Sequence, residues 1–119
     1  MGRYTLRRVS RTITRTRITV EGKAAARSVP GRAVRVAAAV SPDVSGPVTF
    51  TIQHFDPLAG WLFLRQVRAN ASGGAATIAF TPPTEGRWRM NAVYEGTSTA
   101  APSRSGYATL LAAPPPAPR

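Results

Sequence analysis

From Ile18 onward, apolar and polar residues alternate with a period of two, in short runs separated by turn signals. Val34, Val36, Ala38 and Val40 alternate with Ala33, Arg35, Ala37 and Ala39. Val48, Phe50 and Ile52 alternate with Thr49, Thr51 and Gln53, and Ala76, Ile78 and Phe80 with Thr77 and Ala79. Trp88, Met90, Ala92 and Tyr94 alternate with Arg87, Arg89, Asn91 and Val93. Successive side chains of a strand point to opposite faces, so each run predicts a strand with one buried face. Ile18 and Val20 predict a short strand ahead of these. Trp61 to Val67 predicts one that is apolar on both faces, and Tyr107 to Leu111 a last one. Pro, Gly, Asn, Asp and Ser gather between the runs, at 29–31, 41–47, 56–60, 70–74, 82–86 and 96–106, where they favour turns. No stretch sustains a 3.6-residue period, and the Ala run 24–26 is the one place where a helical turn is expected. The pattern is that of an all-β chain, an antiparallel β-sandwich of about seven strands with turns about every eight to twelve residues. Residues 18–113 form this body. Residues 114–119 read Pro-Pro-Pro-Ala-Pro-Arg, a tail expected to be extended polyproline and unable to join a ladder.

Residues 1–17 alternate differently. Odd positions hold Arg3, Thr5, Arg7, Val9, Arg11, Ile13, Arg15 and Arg17, and even positions Tyr4, Leu6, Arg8, Ser10, Thr12, Thr14 and Thr16. Extension therefore puts most of the arginines on one face and the threonines on the other. Seventeen extended residues reach about 55 Å. The expectation is an extended basic arm over 1–17 that lies along a neighbouring subunit, with Arg3, Arg7, Arg8, Arg11, Arg15 and Arg17 as partner-binding residues. Removing 1–17 is then expected to leave the body folded.

Charge sharpens this division. The 119 residues carry sixteen bases and five acids, a net charge of +11. Residues 1–35 hold ten of the bases and one acid, Glu21, whereas the remaining 84 are nearly neutral. A block of this kind marks a segment that meets something acidic: a protein surface, nucleic acid or an anionic membrane. No apolar run approaches the length of a membrane span, and the N-terminus lacks the apolar middle region of a secretory signal. Its β-branched residues oppose the helix that a mitochondrial presequence forms.

Candidate chemistry is sparse. Cysteine is absent, which leaves no disulfide framework and no thiolate site, and His54 is the one histidine. Asp56 stands two residues from His54, but no nucleophile motif accompanies them. Glu85 and Glu95 flank one predicted strand about 33 Å apart, too far to work as a carboxylate pair. Asp43, Asp56 and Glu95 fall short of a calcium ligand set, and Gly73-Gly74 lacks the spacing of a phosphate loop. The reading is a non-enzyme with no cofactor and no metal. Trp61, Trp88, Phe50, Phe80 and Tyr94 are expected in the core, with the Tyr94 hydroxyl tied to a backbone group.

Three blocks carry a family resemblance. Ser45 to Phe50 reads S-G-P-V-T-F, residues 73–82 read G-G-A-A-T-I-A-F-T-P, and Gly86 to Gly96 reads G-R-W-R-M-N-A-V-Y-E-G. Gly46, Val48 and Phe50, then Gly74, Ala76 and Ile78, then Gly86, Trp88, Met90, Ala92, Tyr94 and Gly96 match in order. Over about residues 30–112 the chain resembles bacterial immunoglobulin-like repeat domains. It departs from them in carrying Thr97 after the last glycine and in holding one copy rather than a tandem array. The resemblance implies an immunoglobulin-like sandwich and a non-catalytic scaffold of the kind found in adhesins, secreted enzymes and bacteriophage virion proteins. The function expected is therefore an accessory or decoration subunit of a virion, assembled in the host cytoplasm and docked on an acidic surface of capsid or tail subunits, with self-association left open and no membrane partner. The alternatives are an adhesion or carbohydrate-binding module of an exported, cell-surface or secreted protein, and a nucleic-acid binder acting through the arm.

Overall fold

The computed structural model describes residues 11–114. Among the described residues there is no helix, and nine strands run in chain order: β1 (Arg15–Val20), β2 (Ala25–Ser28), β3 (Val34–Ser41), β4 (Gly46–Asp56), β5 (Gly60–Ala71), β6 (Ala75–Phe80), β7 (Gly86–Tyr94), β8 (Ser103–Arg104) and β9 (Ala108–Ala112). The seven strands read from the alternation are all present, and β2 and β8 are added. Β2 replaces the expected helical turn at Ala24–Ala26. It pairs in parallel with β9, Ala26 beside Leu110, and buries the Ala26 side chain.

Two sheets result. The smaller has the order β1-β3-β6 and is antiparallel throughout; the larger has the order β2-β9-β7-β4-β5, with β8 beside β7. The parallel β2–β9 pair makes the larger sheet mixed rather than wholly antiparallel. The buried members of each alternating run meet between the sheets in a sandwich-like arrangement. Val20, Val36 and Phe80 come from the smaller sheet, and Val48, Phe50, Ile52, Trp88, Met90, Tyr94 and Leu110 from the larger. Each large side chain withdrawn from water in this way contributes roughly 1.5–3 kcal/mol before entropy is charged against it. The expected core places Phe50, Phe80, Trp88 and Tyr94 correctly, and the Tyr94 hydroxyl donates to the Ser45 carbonyl at 2.7 Å. That approach needs a bare backbone beside it: a Cβ on Gly46, whose φ is +134°, would sit 3.2 Å from the Tyr94 hydroxyl. Trp61 is a correction. It is half-buried on the outer face of the larger sheet, because its register partner Phe55 lies on the outward face of β4.

The boundary between arm and body drawn after Arg17 falls inside β1, which pairs Arg15 with Ser41 and Val20 with Val36. The tie reaches further back. Thr12 donates its N–H to Thr99 and accepts the N–H of Ala101, each at 2.8 Å. Thr14 Oγ1 lies 2.7 Å from both Ala101 O and Ser103 Oγ, and Thr16 Oγ1 lies 2.7 Å from Ser103 Oγ. These buried hydroxyls satisfy one another, which lets threonine occupy inward positions where an aliphatic residue is the usual choice.

Candidate interaction surface

Of the residues assigned to partner binding, Arg3, Arg7 and Arg8 lie outside the described residues. Arg11, Arg15 and Arg17 are exposed. Arg15 and Arg17 alternate with buried Thr16 and Ile18, so they stand on the outer face of the smaller sheet, where Arg35 of β3 also stands. The alternation thus gives the face of Arg15 and Arg17 correctly, while Thr14 and Thr16 rest on this chain's own Ala101–Ser103 segment.

Residues 11–114 hold twelve bases and five acids, and among them Arg68–Glu95 is the one ion pair, at 2.9 Å. Glu21 accepts the backbone N–H of Arg35. Asp56 Oδ1 accepts the N–H groups of Leu58 and Ala59 at 2.8 and 3.0 Å, closing the β4–β5 turn. These two donors, Leu58 foremost, hold the Asp56 carboxyl below the ordinary carboxylate range.

The outer face of the larger sheet joins arginine to aromatics. Cross-strand neighbours share a face, so Gln53 stands with Phe63 and Arg89, Phe55 with Trp61, and Arg87 with Leu111 and, one strand on, Arg27. The Arg89 guanidinium lies 4.6 Å from the Trp61 ring centre and 4.1 Å from that of Tyr107, with its Nε donating to Gln53 Oε1. Phe55 meets Trp61 edge-on at 5.2 Å. Stacking between two rings holds the guanidinium in one orientation, and the weak hydration of that group makes this inexpensive. Beside the stack, a groove of about 380 Å³ runs between Trp61 and the β2–β9 pair, with Arg27 and Arg87 on its walls. The expectation that Trp61 lies in the core missed the stack. The register of β5 on β4 creates it: the β4–β5 turn sets Trp61 opposite Phe55, and four consecutive apolar residues, Trp61 to Leu64, do not say which of them face inward.

His54 sits elsewhere. Its ring stacks on Trp88 with centres 4.6 Å apart, half-buried at the end of β4, and its Nε2 lies against Gly86. Among the described residues no group of three or more His, Asp or Glu comes together to hold a metal ion.

At the corner of the larger sheet runs β5, whose one strand neighbour among the described residues is β4. Its ladder jumps between Ile52–Arg65 and Gln53–Phe63, so Leu64 is an extra, bulged residue. Leu62, Phe63 and Leu64 are exposed, as is Leu58 in the turn that leads into the strand. The strand's apolar character on both faces, expected from sequence, is thus real, but over Leu62–Leu64 both faces and the strand's free edge meet solvent.

No protein-family model and no curated protein matches this chain in sequence.

Proposed function

We propose that this chain is a non-catalytic, immunoglobulin-like binding subunit that fastens to an acidic surface of a larger protein assembly. The strand order supports the immunoglobulin-like reading. The first strand is divided between the sheets, β1 pairing with β3 and β2 with β9, and β7, β4 and β5 follow in the larger sheet. The assembly proposed is a bacteriophage virion, of capsid or tail, on the strength of the resemblance to bacterial immunoglobulin-like repeats.

One observation carries the choice of an acidic partner: eleven of the twelve bases on the described residues have no carboxylate partner among those residues. Exposed arginines in this state are free to form charge-assisted, bidentate pairs with carboxylates of another surface. The Trp61–Arg89–Tyr107 stack supports a protein surface, since tryptophan, tyrosine and arginine dominate the energetics of protein interfaces.

Cosedimentation with particles isolated from the source tests the reading. The chain is expected to travel with the particle at low salt and to be released at high salt, where the screening length shrinks to about 3 Å. A chain that stays in the supernatant at every salt concentration removes the reading. Binding to duplex DNA with a log–log salt slope of about −5, as six arginines on six phosphates require, replaces it with nucleic-acid binding.

A further inference from the structure

We propose that the free edge of β5 over Gly60–Leu64 is a docking edge that takes up an extended segment of a partner protein, apolar where it passes Leu62 and Phe63 and acidic where it passes Arg65 and Arg68. This rests on the reading above only in its choice of a protein partner.

The argument starts from what an edge strand ordinarily avoids. A terminal strand presents a row of unpaired N–H and C=O groups, and folded proteins blunt such edges with charge, proline, bulges or a cover. Β5 applies two of these devices to one half only. The bulge at Leu64 and the charges of Arg65 and Arg68 protect the second half. The first half, Gly60-Trp61-Leu62-Phe63-Leu64, has no charge and no proline. Phe63 is 63% exposed, Leu62 44% and Leu58, in the adjoining turn, 99%. An exposed apolar patch on an open sheet edge is the arrangement that binds by strand addition: main-chain bonds supply affinity and alternate side chains supply selectivity. The other edge strands differ. Β1 carries Arg15 and Arg17 as its exposed side chains, β2 has four residues, and the exposed side chains of β6 are Ala75, Thr77 and Ala79.

Charge selects the occupant. The Arg65 guanidinium, 6.0 Å from the Phe80 ring, has no carboxylate partner among the described residues, and Arg68 shares Glu95 at one corner. A segment passing this end of β5 therefore gains by bringing carboxylates. A second copy of the chain brings another +11 and leaves both arginines as they were. Single-stranded nucleic acid needs free ring faces to stack on. Trp61 and Tyr107 already hold Arg89 between them, Leu58, Leu62 and Leu64 are aliphatic, and Phe63 is the one exposed ring left in the patch, where successive bases need several.

The test uses the full chain and a soluble peptide with two glutamates ahead of an alternating Val–Thr stretch. Its lysine counterpart serves as control. Fluorescence anisotropy measures binding, and amide hydrogen exchange locates it. Binding of the acidic peptide is expected, with new protection confined to β5 and a Kd at least about tenfold higher for Phe63→Lys. Arg65→Glu is expected to reverse the preference, taking the lysine peptide over the acidic one. Both side chains are exposed, and an unchanged melting temperature checks that the variants fold. Equal binding by wild type and both variants, protection on β1 or β2 instead of β5, or a Phe63-dependent dimer in sedimentation without peptide binding overturns the proposal. Particle cosedimentation by Phe63→Lys equal to wild type overturns the docking edge while leaving the proposed function in place; failure of wild type to cosediment has the opposite meaning.

Discussion

Trp88 is the largest side chain in the core and 1% exposed, with His54 stacked on it and Phe80 6.0 Å away. Its removal leaves a cavity that the two flanking sheets cannot close. Trp88→Ala is therefore expected to cost roughly 3–5 kcal/mol in denaturant unfolding. Trp88→Phe should cost clearly less. It keeps most of the packing, and the buried Nε1 has no acceptor among the described residues, so its N–H bond is not a loss. Asp56 contributes in a pH-dependent way. Its carboxyl is held below the ordinary range by the N–H groups of Leu58 and Ala59, so its stabilising effect is fully present above that range and is lost as pH falls through the lowered value. Asp56→Ala should melt below wild type at neutral pH, with the difference closing in strong acid. Asp56→Asn should keep the turn and flatten that dependence. Melting curves from neutral to strongly acid pH check both.

The elements differ in how firmly they belong to the body. Β4, β7 and β3 are central, each with a strand on both sides, and β1 is an edge strand held by one ladder and by hydroxyls. Deleting residues 1–17 removes half of β1 and the Thr14 and Thr16 partners of Ser103, and should lower the unfolding midpoint by several degrees. A midpoint unchanged by this deletion would show that β1 contributes nothing to the body. This replaces the expectation that the body is indifferent to residues 1–17. The period-two alternation reports that a strand has two faces, but not whether the inward face meets its own chain or another.

For the molecule as a whole, charge imbalance is the governing quantity. A net +11 on 119 residues, with one ion pair among those described, means that like charges repel within the folded chain. Raising the salt from low to physiological, where the screening length is about 8 Å, should raise the melting temperature. The same salt should weaken binding to any acidic partner. Scanning fluorimetry and a binding titration run in parallel separate these opposite effects.

The sequence by itself determined the β class, the seven principal strands, the alternation that builds the core and the outward face of Arg15 and Arg17. All of these follow from the fixed period of an extended chain and the cost of leaving apolar side chains in water. It also identified the motif positions Gly46, Gly74 and Gly86, where a side chain would strike a neighbour. Tertiary structure alone decided what each face meets. Trp61 left the core because β5 took a register that sets it opposite Phe55, Arg89 became the centre of a stack because β7 brought it between Trp61 and Tyr107, and Thr14 and Thr16 turned inward onto Ser103. Arg89 lies 28 positions from Trp61 and 18 from Tyr107, and Thr14 lies 89 from Ser103, so nothing in a local pattern of polar and apolar residues fixes these contacts.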